Sequence, residues 1–186
     1  MWTIRYARAG DGPRLRALRL EALYNARSAF LETVEQATAV DEQGWEDRIA
    51  RCTQPHRQAL VAVETHPDEA WLGMAGAFID SESEGPEFDL PDPPVATGQR
   101  WAMVWGTYTD PGHRREGMAA ALCTELCRWA AEDAQVDWLG LHVRDTNTAA
   151  IRLYQQLGFA VTARRHHPHL DVTSLIMVRA TTAGSH

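Results

Sequence analysis

Residues 104–122 read Val104-Trp105-Gly106-Thr107-Tyr108-Thr109-Asp110-Pro111-Gly112-His113-Arg114-Arg115-Glu116-Gly117-Met118-Ala119-Ala120-Ala121-Leu122. An aromatic and β-branched run ends at Thr109, Asp110-Pro111-Gly112 turns the chain, and an alanine-rich stretch follows. This is the pattern of a strand feeding a helix through a proline turn. Gly117 and Ala119 fall in the first helical turn, where small side chains let a ligand approach the backbone. The unpaired N–H groups of that turn and the helix dipole favour an anion, and Arg114 and Arg115 add fixed charge. The natural guest is a phosphate or pyrophosphate.

Working outward, residues 100–109 form the strand and about 115–134 the helix. Trp138 to Val143 reads as a further strand. Thr146 to Leu157 reads as a helix, with Gly158 placed as a left-handed stop. Phe159 to Val161 and Ser174 to Val178 read as short final strands. Upstream, Trp2 to Ala7 alternates as a first strand. Leu15, Leu18 and Ala22 give an amphipathic helix over 11–26 with its arginines outward. Asp41 to Cys52 is a second helix, and Ala59–Glu64 with Trp71–Ile79 form an antiparallel hairpin. The expected architecture is α/β: a mixed, mostly antiparallel sheet of about six or seven strands flanked by about four helices.

One domain is expected over 1–180, with a tail at 181–186. Residues 80–99 are acidic, rich in proline and glycine and free of basic side chains, and are expected to form a loop. It is read either as a solvated excursion or as an acidic wall that attracts a cationic substrate.

All 18 basic residues of the Lys+Arg total are arginines. The lack of lysine excludes a Walker A loop and any Schiff-base lysine. A net charge of −7 argues against general nucleic-acid binding. No apolar run is long enough to span a membrane, and the N-terminus does not read as a secretory signal. Cys52, Cys123 and Cys127 fit buried thiols of a cytoplasmic protein.

Two stretches together resemble a known family. Arg114-x-x-Gly117-x-Ala119 is similar to the R/Q-x-x-G-x-G/A signature of the GNAT acetyltransferases. Asn147-Thr148-Ala149-Ala150-Ile151-Arg152-Leu153-Tyr154-Gln155-Gln156-Leu157-Gly158-Phe159 resembles that family's N-x-x-A-x-x-L-Y-x-x-x-G-F. Ala119 stands where glycine is commoner. The resemblance implies acetyl-CoA as co-substrate, with the main chain of Arg114, Arg115, Glu116, Gly117, Met118 and Ala119 holding its pyrophosphate. It implies that Tyr108 and Thr109 present a strand edge to the pantetheine arm and polarise the thioester carbonyl. It further implies that Asn147 contacts the cofactor arm and that Tyr154 protonates the departing thiolate. From the residues alone, Asn147 is also a good helix N-cap, and Tyr154 fits an apolar stripe with Ala150 and Leu157.

The resemblance points to an N-acetyltransferase that moves acetyl directly to a primary amine in a ternary complex, working as a monomer or homodimer. Alternatives are a non-catalytic acyl-CoA sensor and a transferase of longer acyl chains. The strand 101–108 carries no acid to serve as general base; Glu32, Glu35, Asp145 and His142 are candidates. Phe30 and Trp105, and Trp45 with them, are candidate walls of the acceptor pocket. His166-His167-Pro168-His169 reads as a polar loop rather than a metal site, and no metal is expected. The acidic 80–99 segment would suit a polyamine, an aminoglycoside-like antibiotic or a basic peptide N-terminus; a neutral small amine or amino acid is the other option.

Overall fold

A computed structural model describes residues 2–30, 32–54, 56–65, 70–79, 99–168 and 171–181. Four strands pair first as an antiparallel meander: β1 (Thr3–Tyr6), β2 (Gln58–Glu64), β3 (Trp71–Ile79) and β4 (Trp101–Thr109). Then β5 (Trp138–Arg144) adds in parallel to β4. The last two strands, β6 (Ala160–His167) and β7 (Val172–Ala180), pair antiparallel, with β7 inserted between β5 and β6. The seven-stranded order is β1-β2-β3-β4-β5-β7-β6.

Helices cover both faces. On one, α4 (Met118–Glu132) contributes Met118, Leu122, Leu126 and Trp129, and α5 (Thr148–Gln156) contributes Tyr154. They pack on Val61, Val63, Ala75, Val104, Leu141 and Met177 of the sheet. On the other face, α1 (Gly12–Asn25), α2 (Val34–Thr38) and α3 (Glu42–Cys52) bury Leu15, Leu18, Val34, Trp45 and Ile49 against Leu60, Ala62, Met74 and Tyr108. The strict alternation along β2, with Leu60 on one face and Val61 on the other, is what two-sided burial demands of a central strand.

The structure departs from the sequence reading in several places. The described residues hold five α-helices against the expected about four, the short α2 being the addition; a capping box between Thr33 and Gln36 starts it. The helix expected from 115 begins at Met118, because Arg115 (φ 68°) and Gly117 (φ 84°) are left-handed. β6 and β7 are longer than expected, so His166 and His167 lie in a strand rather than a loop. His169, residues 80–98 of the acidic segment and the tail from 182 lie outside the described residues. The arginines of α1 are not all outward, since the Arg19 side chain is only 11% exposed. Among the described residues no helix is long and apolar enough to cross a membrane.

Candidate active site

The parallel ladder between β4 and β5 runs only from Trp101↔Trp138 to Val104↔Leu141. Beyond it β4 stays paired with β3 as far as Thr109↔Gly73, and β5 stays paired with β7 as far as Arg144↔Ser174. The two strands therefore part inside the sheet, leaving residues 105–109 of β4 without a strand partner on that side among the described residues. A bulge in β4 accompanies the parting: Trp105 pairs with Gly76 and Tyr108 with Met74, and Gly106 takes φ 65°. Unpaired main-chain groups inside a sheet take water or an extended ligand as their partner.

At the end of β4 a short 3₁₀ turn, Pro111–His113, is closed by Asp110, whose carboxylate accepts from the Gly112 N–H at 2.8 Å. Arg114, Arg115, Glu116 and Gly117 follow, all exposed. Gly117 is the N-cap of α4 and brings no side-chain cap, so the first N–H groups of this 15-residue helix are left for an external acceptor. Met118 points into the core, so only its main chain can face a ligand. Glu116 accepts or shares a proton with His113, their atoms 3.1 Å apart.

Three polar side chains meet where the strands part, on the α4–α5 side. Thr107 Oγ1 is buried without a hydrogen-bond partner among the described residues. The Tyr154 hydroxyl and the Cys123 thiol lie beside it but fall short of good hydrogen-bond geometry. Burial, then the neighbouring Cys123, pushes the Tyr154 phenol upward; Thr107 opposes this weakly. Burial raises Cys123 to about 12. The Tyr154 phenol is therefore protonated at neutral pH, and Cys123 is a thiol rather than a thiolate. The Tyr154 ring is held edge-on by Phe159, centroids 5.8 Å apart.

The opposite side of the same opening faces α1. Tyr108 is buried there; its hydroxyl donates to Glu21 at 2.9 Å and accepts from the Asn25 amide at 2.9 Å. Burial, with Glu21, raises its pKa to about 12. Its side chain thus braces β4 against α1, and only its main chain faces the gap. Trp105 is half-buried and lies across Gly76, where a Cβ would overlap the indole. Phe30 is half-buried under the Arg19 guanidinium, 4.5 Å from the ring centroid. Trp45 is core rather than pocket wall, 1% exposed and covered by Arg48.

Three other candidates resolve. Glu32 is clamped, accepting from Arg19 Nε and Arg48 Nη2, each at 2.8 Å. Burial would raise its pKa, but the two guanidinium hydrogen bonds win and lower it, so its charge is already committed. Asn147 caps α5, its Oδ1 accepting from the Ala150 N–H at 3.2 Å, which leaves its amide nitrogen outside the cap. His142 sits one residue past the last β4–β5 pair. Leu141 and Val143 face α4, so His142 faces the α1 side, and its Nε2 is buried with no partner among the described residues. Burial, aided by His167, lowers its pKa to about 4, which keeps the ring neutral. Sequence reasoning had no signal for Thr107 or Arg19, because neither stands in a motif.

The parting strands lie in a mixed α/β sheet and lead into a helix whose N-terminus has no side-chain cap. The model of the acetyltransferase (GNAT) family matches residues 20–159, and the chain belongs to that family. It is 27% identical over 132 residues to mycothiol acetyltransferase of Nocardiopsis dassonvillei, covering 65% of this chain and 40% of that protein. It is 38% identical over 72 residues to the [ribosomal protein bS18]-alanine N-acetyltransferase of Escherichia coli strain K12, covering 38% of this chain and 48% of that protein. The chain thus spans less than half the length of these curated relatives. The fold matches that of Arabidopsis thaliana NAA60 in complex with acetyl-CoA, with a TM-score of 0.68, 19% identity, and 97% and 98% of the two chains covered.

Proposed function

We propose that this chain transfers the acetyl group of acetyl-CoA to a primary amine by direct attack in a ternary complex. The observation that carries the proposal is the parting of β4 from β5 after Val104 and Leu141. It offers a row of unpaired backbone groups ending at an uncapped helix N-terminus. Main-chain N–H groups from Arg114 to Ala119 take the pyrophosphate, with Arg114 and Arg115 adding charge. The unpaired edge at Tyr108 and Thr109 receives the pantetheine arm, and an N–H there polarises the thioester carbonyl. The Asn147 amide nitrogen, which the cap does not use, is available to the same arm.

The amine approaches from the α1 side, past Trp105 and Phe30. Its nitrogen forms a bond to the thioester carbon, and the C–S bond of the tetrahedral intermediate then breaks. Tyr154 gives its proton to the departing sulfur. The proton the nitrogen loses passes to water, because the burial that keeps His142 neutral also opposes its taking a proton. A covalent relay through Cys123 has no support, since burial keeps its thiol protonated.

One observation favours a second reading, an acyl-CoA sensor without turnover: β4 brings no carboxylate to the gap. Calorimetry with acetyl-CoA and CoA tests the shared premise. A thiol-release screen over an amine panel separates the two readings. Binding with thiol release supports the transferase. Binding without release on any amine supports the sensor, and no binding removes both.

A further inference from the structure

The Arg19 side chain is 11% exposed, yet its charge is only partly answered. Nε donates to Glu32 Oε2 at 2.8 Å, and the guanidinium carbon lies over the Phe30 ring. Glu32 must also neutralise Arg48 through its other oxygen, so two cations share one carboxylate. Arg19 Nη1 is buried and has no hydrogen-bond partner among the described residues. Nearby carboxylates are spoken for, since Glu21, two positions along α1, accepts from the Tyr108 hydroxyl.

Nη1 is also aimed. It is the one atom within 4 Å of where a Cβ on Gly106 would lie, 3.8 Å away, once chain neighbours are set aside. Gly106 is the left-handed bulge residue of β4, placed where the strand leaves β5. The space over it is therefore open except for a guanidinium N–H pair, and it adjoins Trp105 on the acceptor side. A buried donor without a partner is unfavourable, and an under-neutralised buried cation more so. A carboxylate relieves both, and charge-assisted N–H to carboxylate bonds are the strong kind.

We infer that Arg19 Nη1 and the open space over Gly106 form a subsite for a carboxylate of the acceptor, so that the acceptor is an amino acid or similar amine bearing a nearby carboxylate. The inference rests on the acetyltransferase reading above. It reverses the cationic preference suggested by the acidic segment, which lies outside the described residues.

The test compares α- and ω-amino acids with their carboxamides, by thiol release with acetyl-CoA and by calorimetry on the CoA-loaded protein. Rates are referred to the free-amine fraction, because amidation lowers the amine pKa. At least one acid is expected to exceed its amide tenfold or more in kcat/KM and in affinity. Arg19→Gln should compress that ratio towards one while acetyl-CoA affinity stays put; Arg19→Lys should keep part of it. Gly106→Ala, which strains a left-handed position but leaves Arg19 in place, should compress the ratio by placing a methyl group in the space, with acetyl-CoA affinity measured alongside to report any shift of β4. Amides or polyamines that match or beat the acids throughout overturn the inference, as does an acid preference that survives both Arg19→Gln and Gly106→Ala. Acid binding with no thiol release would keep the subsite and remove the transferase; thiol release on uncharged amines alone would do the reverse.

Discussion

The indole of Trp105 on β4 lies across Gly76 of β3, its cross-strand partner, in contact close enough to exclude a side chain there. Gly76 takes no left-handed conformation, so its requirement is purely one of space. Gly76→Ala should displace the indole and cost about 1–3 kcal/mol through overpacking. Thermal unfolding reads the loss and tryptophan fluorescence reads the movement. If Trp105 walls the acceptor pocket, acceptor KM should rise while acetyl-CoA affinity changes little.

Gly117 presents the opposite case. A Cβ there would meet nothing within 4 Å, but φ is 84°. Gly117→Val should therefore act through the backbone, at about 1–2 kcal/mol for the left-handed conformation. It should also weaken acetyl-CoA at least tenfold by moving the N–H groups ahead of α4. Calorimetry that finds unchanged affinity would remove the phosphate site from this loop.

Arg115 holds φ 68° without being glycine. Arg115→Gly should raise stability by up to about 1 kcal/mol. If main-chain N–H groups carry the phosphate, acetyl-CoA affinity should fall only a few-fold. A hundredfold loss would shift the burden to the Arg115 side chain.

Tyr154→Phe keeps the ring against Phe159 and deletes only the hydroxyl. Single-turnover kinetics should show a rate lower by about 10²-fold, the scale of a lost general acid, with acetyl-CoA affinity nearly intact. Because burial raises the phenol, the acid should not titrate away below its ordinary range near pH 10. An unchanged rate would assign the proton to another donor.

Asp11 is fully buried, accepting from Arg5 at 2.7 and 2.9 Å, from Arg14 at 2.9 Å and from the Arg8 N–H at 2.8 Å. Burial opposes its charge, but these donors, led by Arg5, prevail and lower its pKa. The folded value lies below the unfolded one near 3.9, so the stabilisation is whole above about pH 4 and is lost as pH falls through the folded value. Asp11→Asn should cost about 3 kcal/mol at neutral pH, the scale of a broken buried pair. Denaturation at pH 7 and at about pH 2–3 should show the gap between the two proteins closing in acid.

Much of the fold was legible because its signals are local. The Asp110 turn, the Asn147 cap and the left-handed stop at Gly158 (φ 87°) each act over a few residues. The apolar period of α1, α3 and α4 likewise marks its own buried face. The short α2 escaped because five residues carry too little period, although its capping box stands in plain view. His166 and His167 were misplaced because an edge strand with alternating exposed polar residues reads as a loop until β7 is seen beside it.

By itself the sequence determined the strand–turn–helix at 104–122, the two family signatures and the order of elements, all set by neighbours a few residues apart. Only the tertiary structure decided where β4 leaves β5, because ending a ladder depends on β3 and β7 holding the two strands apart. It also decided that Arg19 turns inward while Trp45 is sealed in the core. Arg19 is met by Phe30 and Glu32 from the segment after α1, and Trp45 is buried between α1 and the sheet with Arg48 of its own helix over the ring. Period tells a side chain which face of its helix it occupies; only the opposing layer tells it whether it meets a carboxylate, an aromatic ring or an open space over glycine.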